Sequence, residues 1–175
     1  MSNRPTGHND ADLAALASAL GDACIRQHEH LVTAESCTGG WIAKTLTDIA
    51  GSSAWFECGM AAYSYEAKQA LLGVRAETLH EHGAVSRETV LEMVAGALIN
   101  SGASLAVAVT GIAGPSGGTP DKPVGSVWIA WKHRGGYPKA ELFHFDGDRE
   151  AVRRQTVEAA LQGMLGMLKS AGTTV

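Results

Sequence analysis

The chain has 175 residues, of which 45% are hydrophobic and 18% charged, and 14 Lys and Arg against 18 Asp and Glu give a formal net charge of -4. This is the composition of one ordinary globular domain, and its weak acidity excludes the broad basic surface that binding nucleic acid requires. The three cysteines, Cys24, Cys37 and Cys58, form no C-x-x-C pair, which argues against a disulfide framework and a zinc ribbon.

In chain order, "ADLAALASALGDACIRQ" spaces Leu13, Leu16, Leu20 and Cys24 three and four residues apart, the period of an amphipathic helix. "HLVTAE" reads as a strand, and "TGGWIAKTLTDIAG" as a second helix closed by Gly51. "AWFECGMAAYS" has the aromatic and small residues of a strand in a crowded sheet, and "YEAKQALLGV" turns helical at once. Residues 75–82 are polar and short, a helical turn or loop. "SRETVLEMVAGALINSG" opens on Ser86 as a cap, with Thr89 where a full capping box has glutamate, and its apolar positions give a helix.

"ASLAVAVTG" is a near-continuous apolar strand of the kind buried on both faces, and it runs into the glycine- and proline-rich loop "GIAGPSGGTPDKP". "VGSVWIAWKH" and "KAELFHFDG" are two further strands, and a last helix runs from about Asp148 to Lys169. Alternation of helix and strand followed by two consecutive strands predicts an α/β fold, a three-layer α/β/α sandwich with a mixed, mostly parallel sheet of about five strands. A single domain over 9–170 is expected, with 1–8 and 171–175 as flexible termini. The apolar runs are too short to span a bilayer and the polar start carries no apolar signal core, so a cytoplasmic protein without membrane contact is expected.

Ligands of such sheets bind beyond the carboxyl ends of strands, which singles out the loops "ESCTGG", "YSYEAK" and "TGIAGPSGG". In the first, Ser36 lies near a helix N-terminus, where free N–H groups favour an anion; alternatively Ser36 or Thr38 only caps the helix. Cys37 is a rival nucleophile, but no histidine falls in these loops to serve as its base. His133 and His144 sit in or beside the late strands, which leaves a Ser-His-Asp arrangement without support. A desolvated lysine can accept a proton from serine, and Lys68 is the best-placed one, set against the ordinary reading of a solvated helix residue. The third loop can hold backbone N–H groups against a phosphate but is not a P-loop. Arg149 and Arg153, four apart, share a helix face and suit a phosphate or carboxylate, unless they are a solvated pair balanced by Asp146, Asp148 and Glu150. The two "HEH" stretches put their histidines on different faces and read as solvated surface rather than a metal site.

Taken together, "TAESCTGG", "IAGSSAWFECGMAAYSYEAK", "HGAVS", "VTGIAGPSGGTPDKPVGSVW" and "GDREAVRRQ" resemble, in order and spacing, the C-terminal domain of the competence-damage-inducible CinA family of nicotinamide-nucleotide amidohydrolases. The resemblance runs from Leu13 to Leu168, in the stand-alone form. It implies hydrolysis of the carboxamide of nicotinamide mononucleotide by a Ser-Lys dyad, with no cofactor and no metal. On the matching motifs, Ser36 is the nucleophile, Lys68 its base and Tyr63 a third catalytic residue; Thr38, Gly39, Thr110, Gly111, Gly114, Arg149 and Arg153 are the substrate-binding set. Arg149 is the foremost phosphate contact, Thr38 the helix cap, and Cys37 a packing residue. The chain departs from the family pattern at Tyr65, where many relatives have asparagine, and at Cys58 and Met60. The alternative is a nucleotide-binding or regulatory domain that uses the same loops without turnover. The apolar face of "LEMVAGALI" makes a homodimer the expected assembly.

Overall fold

The computed structural model describes residues 9–171. Along the chain lie α1 (Asp10–Gln27), β1 (Leu31–Glu35), α2 (Trp41–Thr47), a 3₁₀ turn (Ser52–Ala54), β2 (Phe56–Ala61), α3 (Tyr65–Leu72), α4 (Ala76–His82), α5 (Arg87–Ile99), β3 (Leu105–Gly111), β4 (Ser126–His133), β5 (Lys139–His144) and α6 (Arg149–Ala171). The ends expected to be flexible fall outside the described residues, apart from Ala171, the last residue of α6.

The sheet order is β2-β1-β3-β4-β5. The β1–β2 and β1–β3 pairs are parallel and the β3–β4 and β4–β5 pairs antiparallel, so β4 alone runs against the other four strands. Burial follows from position. β1 and the first six residues of β3 are buried throughout, as the apolar runs predicted, whereas edge strands β2 and β5 alternate or expose part of their length. One face packs α1, α2 and α6 around Leu20, Leu46, Val107, Ile129 and Leu161. The other packs α3, α4 and α5 on a floor of small residues, Ala34, Ala106, Ala108 and Ala130, which lets α5 lie close to the sheet. The sandwich therefore has the three layers expected.

Several details depart from the sequence expectation. Residues 75–82 hold a true helix, α4, although its cap residue Arg75 makes no side-chain capping bond. A tertiary contact supports it instead, because the Glu92 carboxylate on α5 accepts bonds from the Arg75 backbone N–H, the Arg75 guanidinium and the Thr78 hydroxyl. α2 is shorter than its apolar pattern suggested, since Gly39 and Gly40 take φ values of 61° and 99° and hold the chain in a turn before the helix begins. The apolar face of α5 is spent inside the chain on Val90, Met93, Val94, Ala97 and Leu98, so it no longer argues for a dimer. α5 also crosses α3 at very short range: a Cβ built on Gly96 would lie 1.8 Å from the Leu72 carbonyl oxygen. Among the described residues no helix is long and apolar enough to cross a membrane.

Chain order makes β1 the switch point. The path from β1 goes through α2 to β2 on one side, then through α3, α4 and α5 to β3 on the other. Sheets of this kind bind ligands where such connections diverge, beyond the carboxyl end of β1, and the next residue is Ser36.

Candidate active site

Ser36 leaves β1 with its N–H donating to the Val109 carbonyl on β3 at 3.1 Å, and its side chain is 9% exposed. The loop it opens is shaped from beneath by an acid. Glu35, the last residue of β1, is 1% exposed, and its carboxylate turns forward under the start of α2. There it accepts the backbone N–H groups of Gly40, Ile42 and Ala43 at 3.1, 3.0 and 2.8 Å and the hydroxyls of Thr33 and Thr38 at 3.2 and 2.6 Å. A buried carboxylate is tolerable only when bonded in this way, and a helix N-terminus is where it is best placed. Thr38 is therefore not the cap of α2; its hydroxyl donates to the residue that is.

α3 supplies the facing group. Ser64 caps it, accepting the Ala67 N–H at 3.0 Å, and the first turn then carries Lys68 inward, where it is 1% exposed. The Lys68 Nζ lies 2.9 Å from Ser36 Oγ, and also donates to the carbonyls of Ala62 at 2.9 Å and Tyr63 at 3.2 Å. All three partners are neutral oxygens. Burial accordingly pushes the Lys68 ammonium below the usual lysine range. A neutral amine has two N–H donors and one lone pair. With both donors taken by carbonyls, the lone pair is left for the Ser36 hydroxyl to donate into.

Cys37 is 5% exposed, and burial pushes its thiol up to about 12, so it stays a protonated packing residue. Tyr63 is 63% exposed at the rim, and its hydroxyl accepts from Arg149 Nη2 at 3.1 Å. Arg149, the first residue of α6, also donates from Nη1 to the Gly114 carbonyl at 2.9 Å, which joins the glycine-rich loop to the tyrosine. Thr110 is buried at the end of β3, and its hydroxyl donates to the Ala84 carbonyl at 2.8 Å; the Ala84 N–H donates to the Tyr65 hydroxyl at 3.3 Å. The "HGAVS" stretch is thus held against β3 through the Ala84 carbonyl and against α3 through the Ala84 N–H, and the unusual Tyr65 touches that stretch rather than Ser36. Gly111 closes β3, where an added Cβ would meet Val127 at 2.6 Å.

Arg153 is placed apart from Arg149. Its Nε and Nη2 donate to the carbonyls of Cys37 and Thr38 at 3.1 and 2.9 Å, and its guanidinium lies 5.2 Å from the Trp41 ring centroid. Sequence reasoning missed this brace as well as the role of Glu35. The signal for the latter was an acid ending an otherwise apolar strand just ahead of a helix whose own cap position is glycine. Among the described residues no group of three or more His, Cys, Asp or Glu side chains converges as a metal site would require.

Residues 13–168 match the family model described as the CinA C-terminal domain. The chain belongs to this family. The CinA domain is 52% identical over 153 residues to the nicotinamide-nucleotide amidohydrolase PncC of Escherichia coli K12, covering 87% of this chain and 93% of that one. It is 54% identical over 153 residues to PncC of Pseudomonas putida, covering 87% and 95%. Among solved structures, the competence/damage inducible protein CihA of Agrobacterium tumefaciens superposes with a TM-score of 0.87 at 46% identity, over 97% of this chain and 99% of that one.

Proposed function

We propose that this chain hydrolyses the carboxamide of nicotinamide mononucleotide to nicotinate mononucleotide and ammonia, with Ser36 as nucleophile and Lys68 as its base. The observation that carries this reading is the 2.9 Å approach of a buried amine to Ser36 Oγ, together with the names of relatives that share half of the sequence. Lys68 takes the proton as Oγ bonds to the amide carbon, then gives it to the departing amine, which leaves as ammonia. Water enters, losing a proton to Lys68 as its oxygen bonds to the acyl carbon; the ester bond breaks and Oγ recovers the proton. The cycle consumes one water and leaves the protein unchanged.

Arg149 and Tyr63 stand at the mouth of the site and are the groups that hold and orient the nucleotide, with Arg149 on the phosphate. The hydroxyls of Thr38 and Thr110 are already engaged by Glu35 and Ala84, so those residues shape the walls together with Gly39, Gly111 and Gly114.

Ammonia release measured from nicotinamide mononucleotide and from free nicotinamide tests the reading. The nucleotide should be turned over and the free base poorly, because remote phosphate binding positions the amide. Comparable turnover of both, or nucleotide binding without ammonia, overturns it.

A further inference from the structure

The tetrahedral intermediate of amide hydrolysis puts negative charge on the former carbonyl oxygen, and the site must supply donors to it. Given the hydrolysis proposed above, the geometry points to Arg153 as a positioning residue that fixes the Thr38 backbone N–H as an oxyanion donor, and not as a phosphate contact.

In a trans peptide the C=O and the following N–H point in opposite directions. Arg153 takes the Cys37 carbonyl through Nε and the Thr38 carbonyl through Nη2. The next two N–H groups, of Thr38 and Gly39, are therefore turned away from the guanidinium. The Gly39 N–H shows where that leads: it donates to the Ser36 carbonyl at 3.0 Å, so the side facing away from Arg153 is the side of the Ser36 backbone. The Thr38 N–H, turned the same way, donates to no acceptor among the described residues.

Both ends of this arrangement are anchored. The guanidinium is pinned against the Trp41 ring, and the Thr38 side chain is tied by its hydroxyl to buried Glu35. A cation on the Cys37 carbonyl also polarises the shared peptide unit, which strengthens the Thr38 N–H as a donor. Arg149, by contrast, is bonded to Gly114 and Tyr63 at the rim and not to the Ser36–Gly40 loop.

The test compares nicotinamide mononucleotide with nicotinamide riboside, the same amide without its phosphate. Arg153→Met should lower kcat by about 10²–10³, the scale of a lost oxyanion donor, with KM nearly unchanged and by the same factor for both compounds. Its affinity for nicotinate mononucleotide, measured by calorimetry, should match that of the wild type. Arg149→Ala should instead raise KM for the nucleotide and leave the riboside little affected. If Arg153→Met melts below the assay temperature, Arg153→Lys, which keeps the charge and fewer donors, takes its place and should show a smaller kcat loss of the same pattern. A loss confined to the nucleotide and expressed in KM, or no loss with either variant, overturns the inference while the hydrolysis stands. A wild-type chain that releases ammonia from neither compound overturns the hydrolysis and this inference with it.

Discussion

At the carboxyl edge of the sheet Lys68 is buried among neutral oxygens, whereas at the opposite edge Glu29 is met by hydrogen-bond donors. Glu29 accepts from His133 Nε2 at 2.9 Å and from the Ser104 hydroxyl, and His30 Nδ1 lies 3.1 Å from Glu57 close by. Burial disfavours ionised Glu29, but the bonds from Ser104 and His133 outweigh it and hold the carboxyl below the usual range. The Lys68 amine has no such compensation. A group that only ties strand ends together is best left charged and paired. The proposed base, which would gain and lose a proton in each turnover, has to be kept where neither state is strongly favoured.

The largest effects come from breaking the uncompensated edge. Ser36→Ala and Lys68→Met should each lower kcat about 10⁴-fold or more, and the double variant should lose little beyond either, because groups acting as one unit are not additive. In the wild type, kcat/KM should rise with pH through an apparent pKa below that of ordinary lysine. Stability should move the other way. Since the folded pKa of Lys68 is depressed, the unfolded chain binds the extra proton below about 10.4, and the folded state is penalised increasingly as pH falls from there. Lys68→Met should therefore melt at or above the wild-type temperature at neutral pH, with the gain vanishing as pH approaches that value. A Met variant that is both dead and clearly less stable would mean the amine is structural.

Arg149→Ala sharpens the comparison at the rim, where charge is exposed and is proposed to serve substrate. Its loss should amount to about 1.5–3 kcal/mol in kcat/KM, the scale of a hydrogen bond to a charged group. Unchanged kinetics would move the phosphate elsewhere.

At the compensated edge, Glu29→Gln should leave kcat and KM untouched and cost about 1 kcal/mol of stability at pH 7. The sign follows from the depressed folded pKa: the contribution is present above the unfolded value of about 4.3 and fades as pH falls through the folded one, so wild type and variant should converge in acid melts. Persistence of the difference there would assign it to packing. The smallest effect belongs to Cys37→Ala, which should keep most activity, and iodoacetamide should label Cys37 in the folded wild type far more slowly than in the unfolded chain. Rapid labelling with loss of activity would reopen the choice between serine and thiol.

Much of the frame was legible in the sequence because its causes are local. The apolar run Leu105–Gly111 allowed only an interior strand, the helical period of residues 10–27 fixed α1, and the loops at the strand ends lay where the candidate site forms. What was not legible depends on partners distant in the chain or on through-space reach. Glu35 caps α2 from the preceding strand, bonding N–H groups as far as eight residues ahead, a span that no local capping pattern describes. α4 forms against Glu92, sixteen residues beyond its start, not from its own cap. Arg153 looked like the twin of Arg149 because helical spacing puts both on one face, and only the packing of α6 against the Ser36 loop separates them.

The buried Glu35 has a further consequence, in entropy. The loop from Ser36 to Gly40 is held by a carboxylate built into the fold, so no substrate binding energy is diverted to arranging it. Its conformational freedom is surrendered once, together with that of β1 and α2, and the reacting geometry is as durable as the centre of the sheet. Of the proposed site's side chains, those of Tyr63 and Arg149 stand exposed at the rim, where exchange of product for substrate would take place.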